Sequence, residues 1–127
     1  LVDAKLKKVK VQPSEIADDA TFVRRVYLDL TGLPPGPEEV VAFIADTRDG
    51  RAKREELIEK LVGSDAYVEH WANKWADLLM VNRKFLGDVG ATAFRKWIRD
   101  RVAENTPYDK FAYDVLTYLW VIALSAA

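Results

Sequence analysis

Apolar residues in this chain recur three and four positions apart, and the segments in which they do so are closed by residues that stop helices. That combination restricts the fold to packed helices. The best-delimited segment shows why. Asp18 and Asp19 can cap a helix, and Phe22, Val23, Val26, Tyr27 and Leu30 then form one apolar stripe. Gly32 supplies a left-handed stop, and Leu33-Pro34-Pro35 blocks continuation. No stretch alternates with period two over more than a few residues, and no fixed-spacing repeat occurs.

The same reading predicts the other elements. Val2, Leu6 and Val9 make a short amphipathic helix that ends before Pro13. Gly36-Pro37-Glu38-Glu39 starts a helix with Val40, Val41, Phe43 and Ile44 as its buried side. Over 51–62, Leu57, Ile58, Leu61 and Val62 face inward, while Lys53, Arg54 and the other charged residues face water. Ser64 caps a helix over 65–81, expected to be the longest, with Tyr67, Val68, Trp71, Ala72, Trp75, Leu78 and Leu79 on a broad arc. Such an arc belongs to a central helix with neighbours on two sides. Asn82 to Gly90 reads as a loop, 91–104 as a helix, and Thr106-Pro107-Tyr108-Asp109 as the start of the last one.

The expected architecture is all-α: a single compact bundle of five main helices plus a short N-terminal one, forming one domain over 1–127. Phe22, Tyr27, Leu61, Trp71, Trp75 and Trp97 are expected in one core, and the spacing of Trp120 is also that of a core residue.

Composition narrows function mainly by exclusion. With 127 residues there is room for one domain. Nineteen Lys plus Arg against 20 Asp plus Glu leave a net charge of −1, so no global field draws the chain toward nucleic acid or anionic lipid. Without Cys there is no disulfide, thiolate zinc site, Cys nucleophile or covalent c-type haem. The N-terminus has neither an initiating Met nor an apolar run, so the sequence reads as a fragment or processed chain without a signal peptide. Val115–Ala127 is the most apolar stretch but falls short of the ~20 residues of a membrane span.

No spacing assembles a reaction centre. His70, Asn73 and Asp77 share a stripe, yet one His without Cys is too few for zinc, and no nucleophile stands beside the pair. Arg24, Arg25 and Asp29 read as bridging groups, with Arg25 expected to pair with a carboxylate on its own or another helix. Arg83, Lys84, Arg95, Lys96, Arg99 and Arg101 make the second half locally basic, diluted by Asp88, Asp100 and Glu104. GxGxxG, Walker, GxSxG and HExxH patterns do not occur. No catalytic, cofactor-binding or metal-binding residue is therefore assigned, and no cofactor.

Three ordered motifs do stand out. The first is Asp19-Ala-Thr-Phe-Val-Arg-Arg-Val-Tyr-Leu-Asp-Leu-Thr-Gly-Leu-Pro-Pro-Gly-Pro-Glu-Glu, continuing to Phe43. The second is Tyr67, Trp71-Ala72, Trp75 and Asp77; the third is Trp97 followed by Asn105-Thr106-Pro107-Tyr108-Asp109-Lys110-Phe111. Over about 2–117 these resemble the planctomycete cytochrome-c-associated domain, a domain of unknown function in large bacterial proteins. The resemblance implies an extracytoplasmic, multi-domain protein with any haem in another domain, and it implies no known reaction. The family continues into a polar, Gly- and Ser-containing region, whereas 118–127 here is an atypical apolar tail.

The reading that follows is a non-catalytic helical module that docks neighbouring domains or protein partners in a larger extracytoplasmic protein. The alternatives are an accessory domain of a redox or hydrolytic enzyme and, more weakly, nucleic-acid binding through 83–101; the leading reading carries no nucleic acid and no membrane span. Arg25, Asp29, Asp77 and Asp109 are expected to serve structure, and Tyr118, Leu119, Trp120, Val121, Ile122 and Leu124 to continue the last helix and mediate self-association.

Overall fold

A computed structural model describes the backbone of residues 2–125 and the side chains of 2–117. The described residues form seven helices and no strand: α1 (Val2–Lys8), α2 (Asp19–Thr31), α3 (Pro37–Ala45), α4 (Gly50–Leu61), α5 (Asp65–Leu78), α6 (Arg83–Ala103) and α7 (Tyr108–Ser125). The all-α class stands, but the count differs from five main helices plus one.

Local chemistry sets most boundaries. The Asp18 carboxylate accepts the Thr21 N–H at 2.7 Å, and Gly32 closes α2 at φ 70° with its N–H on the Leu28 carbonyl. Asp49, Ser64 and Asn82 cap α4, α5 and α6 through their side chains. The Asn82 cap corrects the expected loop over 82–90. Arg83–Leu86 is helical, Gly87 breaks the helix at φ 65°, and it resumes to Ala103. α5 is not the longest helix. It ends at Leu78, because Met80 takes the left-handed conformation and its N–H and that of Val81 bond to the Asp77 and Ala76 carbonyls.

Two apolar clusters replace the single expected core. In the first, Val23, Val26, Tyr27 and Leu61 are buried, with Phe22, Val40, Phe43 and Leu57 packed on them. In the second, Ala72, Ala76, Phe94 and Ile98 are buried, with Trp75, Trp97 and Val102 around them. Helix α2 packs on α3, α4 and α5, and α5 packs on α2 and α6, so α5 has the two neighbours its arc predicts. Its buried residues are Val68, Ala72 and Ala76. Small residues at the contact let helix axes approach closely, which leaves the Trp71 and Trp75 rings only half-buried, beside the contact.

Several expected core positions are exposed: Val41 and Ile44 on α3, Ile58 and Val62 at α4, and Leu78. Each stripe is wider than the neighbour that covers it. Lys53 errs the other way, being only 6 % exposed, and Arg54 is half-buried beside it. The backbone of α7 runs through the tail to Ser125. The side chains of Tyr118–Leu124, and with them the Trp120 and self-association expectations, lie outside the described residues.

Candidate functional site

Three places gather polar or aromatic side chains. The first is a cleft of about 410 Å³ between α2, α3 and α4. At its floor the Lys53 ammonium donates to the carbonyls of Asp46 (2.9 Å) and Phe43 (3.3 Å) and pairs with Asp19 at 2.6 Å. The carbonyls at the end of α3 thus take a cation in place of water, which is why the charge can be buried. Arg54 donates to Asp19 and the Ala17 carbonyl, both at 2.8 Å, and its guanidinium lies over the Phe22 ring. Hydrogen bonds from Lys53 and then Arg54 hold the Asp19 carboxyl below its ordinary range.

Across the cleft, the Tyr27 hydroxyl donates to Glu39 at 2.5 Å. Burial, then the hydrogen bond to Glu39 and its charge, pushes the phenol up to about 12, so it remains a donor at neutral pH. Glu39 also accepts the Gly36 N–H at 2.9 Å and is held low chiefly by the Tyr27 bond. Asp46 falls to about 2 through its bonds from Arg48. Except for Arg54 Nε, which is buried without a partner, these polar groups bond to one another and to backbone carbonyls and tie three helices together; none is a nucleophile beside a base.

The second place is the His70 stripe, which the structure takes apart. The His70 ring packs against Gly32, where an added Cβ would lie 2.6 Å from Cε1. It stands edge-on to Trp71 at 5.7 Å, with Nε2 buried and unpartnered. Asn73 accepts a hydrogen bond from Arg95 across to α6. Asp77 is exposed and lines a different hollow, with Asn82 and Arg95. Among the described residues no group of three or more His, Cys, Asp or Glu could hold a metal ion.

Arg24, Arg25, Asp29 and Asp109 are also exposed, and no ion pair holds Arg25 among the described residues. This corrects its expected bridge: Arg preceding Asp by four runs against the helix dipole, and both side chains stay in water. The basic stretch is largely neutralised within the chain. Arg83 pairs with Asp88, Lys96 with Asp100, Arg99 with Glu69, and Arg101 with Glu104.

The third place is an aromatic slot of about 170 Å³ that joins the second and third sequence motifs. Tyr67, Trp71 and Trp75 reach it from α5, and Tyr108 and Phe111 from α7. Its turn is built by Asn105, left-handed at φ 48°. The Asn105 N–H bonds to the Val102 carbonyl and the Thr106 N–H to the Arg101 carbonyl, both at 3.0 Å. Pro107 then blocks continuation of α6 and turns the chain into α7. The rings touch in series: Trp97 stacks on Phe111 at 5.5 Å, Phe111 meets Trp75 at a tilt at 4.8 Å, and Trp75 lies near Tyr108 at 6.2 Å. Two N–H groups at the slot, Trp71 Nε1 and Arg101 Nε, are buried without an acceptor.

Residue spacing did not bring these motifs together, because 30 or more positions separate Tyr67 from Asn105; the tertiary contact of α5 with α6 does. Comparison with known proteins gives one family match. The model of PSCyt2, described as a protein of unknown function (DUF1549), matches residues 1–119. Nothing among curated proteins matches, and no solved structure does.

Proposed function

The chain belongs to this PSCyt2 family of unknown function, and from that premise we propose that it is a non-catalytic helical docking module of a larger extracytoplasmic bacterial protein. One observation carries the reading: the second and third motifs meet at a slot in which the rings of Tyr67, Trp71, Trp75, Tyr108 and Phe111 outnumber the other lining groups. Aromatic rings edged by a few polar groups are the composition of recognition surfaces. No helix among the described residues is long and apolar enough to cross a membrane. The extracytoplasmic setting, a planctomycete source and a haem domain elsewhere in the same polypeptide rest on the motif resemblance.

Tyr108 is 71 % exposed at the mouth of the slot. A photo-crosslinking amino acid placed there in the whole natural protein, expressed in its own cells, is expected to trap a polypeptide that the same probe at exposed Glu15 does not. Equal labelling from both positions would sink the docking reading. Alkaline phosphatase fused after the natural protein tests location, since it is active only outside the cytoplasm.

A further inference from the structure

The N-terminal arm stands apart from both apolar clusters. Helix α1 contributes to neither and has no buried residue, and Val2, Val9, Val11 and Ile16 around it are exposed. It is nonetheless a finished helix. Lys10 closes it in the left-handed conformation, with the Val9 and Val11 N–H groups on the Lys5 and Leu6 carbonyls, both at 3.0 Å. Val2, Leu6 and Val9 lie one turn apart each time and form a stripe, and Ala4 points to the opposite side.

Charge separates the arm from the rest of the chain. Lys5, Lys7, Lys8 and Lys10 stand against Asp3 alone, and none of the four forms an ion pair among the described residues. Residues 2–11 are thus net +3 and the remainder net −4, a division hidden in the total of −1. Residues 11–16 follow without helix before the Ala17 carbonyl is fixed by Arg54. Six residues can span about 20 Å, roughly twice the ~8 Å screening length at physiological salt. The connector is long enough to keep the arm's charge from being cancelled by the carboxylates behind it.

We infer that residues 2–11 bind the surface of an anionic lipid bilayer. The Val2, Leu6 and Val9 stripe lies in the boundary between headgroups and acyl chains, and the four ammonium groups lie among the lipid phosphates. Two features select this occupant. A nucleic acid would use the lysines and leave the apolar stripe in water, whereas a bilayer takes up both, because lysine stems run along apolar surface with their heads in the polar layer. A helix of seven residues offers far less than the roughly 800 Å² per partner of a specific protein interface, and a bilayer asks for no shape match. Each lysine near such a surface favours binding about fivefold, so a net +3 gives on the order of a hundredfold enrichment. The negative remainder of the chain is repelled, which leaves the arm as the point of attachment.

Flotation of the whole chain with lipid vesicles tests this. Vesicles of phosphatidylcholine with about one-third phosphatidylglycerol should carry at least tenfold more chain than phosphatidylcholine alone, and added salt should release it. K7E/K8E should remove the enrichment and leave the thermal melt unchanged, since α1 buries nothing. The natural sequence has no Cys, so an environment-sensitive fluorophore can be placed singly through V9C or A4C. Its emission should shift to the blue on anionic vesicles at position 9 and not at position 4. Equal flotation with neutral and anionic vesicles, or of K7E/K8E and the unaltered chain, would overturn the assignment. Equal shifts at positions 9 and 4 would overturn the stripe as the face that enters.

Discussion

The two halves of the molecule hold together by different means. In the α5–α7 half, Ala72, Ala76, Phe94 and Ile98 bury apolar surface under stacked rings, and its ion pairs lie toward the solvent. In the α2–α4 half, Val23, Val26, Tyr27 and Leu61 form a small apolar centre, and charge closes it: Lys53 on helix-end carbonyls, Asp19 between two cations, Tyr27 on Glu39. Short helices explain the contrast. α3 has nine residues and leaves Val41 and Ile44 in water, so side-chain charge supplies the helix-to-helix ties that apolar area does not. One half should therefore answer to cavities and the other to charge and pH.

The largest effect belongs to the apolar half. Phe94→Ala should cost about 4 kcal/mol in urea denaturation, as buried aromatic truncations do. A loss below about 1 kcal/mol would mean the stacked rings, and not the Phe94 layer, hold that half. Trp75→Ala should cost less than this, because Trp75 is only half-buried.

Lys53→Met tests the charged half. It keeps the stem, leaves the Phe43 and Asp46 carbonyls without their donor, and should cost about 2–3 kcal/mol, discounted because Asp19 is partly exposed. An unchanged midpoint would show that water replaces the ammonium freely.

Gly32→Ala probes the seam between the halves. A left-handed backbone penalises a side chain by about 1–2 kcal/mol, and the new Cβ also meets the His70 ring. Adding His70→Ala should recover the steric part and leave the backbone part. Equal losses in the single and double variants would remove His70 as the cause.

Acid should separate the halves without mutation. Asp18, Asp19, Glu39 and Asp46 all have folded-state values below their ordinary ones, and all lie in the α2–α4 half; Asp100 is similarly lowered in the other. The unfolded chain thus binds more protons as pH falls. The stability these groups give is present above ordinary carboxylate values and is lost between about pH 5 and 2. Amide exchange at about pH 3 should show α2–α4 losing protection before α5 and α6. Simultaneous loss would erase the distinction.

The smallest effect is a gain. Met80 is left-handed at φ 53°, so Met80→Gly should stabilise by about 0.5–1 kcal/mol in thermal melts. A loss would mean that the exposed Met80 side chain contributes more than the backbone strain.

Legibility in the sequence follows the range of each cause. Asp18, Gly32 and Ser64 act on groups within a few positions, so α2 and the start of α5 could be read from their neighbours. Asn82 to Gly90 reads as a loop because it holds Gly87 and Gly90, yet the Asn82 side chain caps a helical turn that precedes the Gly87 kink. The Arg25 bridge failed because spacing permits a pair without requiring one. At the slot, each motif was visible separately; that they share one surface was not.

The sequence by itself determined the helical class, most helix boundaries and the absence of a Cys- or zinc-thiolate chemistry. Capping, glycine and proline effects operate over a turn of helix and need nothing distant. Tertiary structure decided which side of each stripe is covered, why a lysine is inside, and that the apolar residues divide into two clusters. Burial depends on the area a neighbouring helix offers, and a charge is admitted only where distant groups, such as the carbonyls ending α3, replace its water.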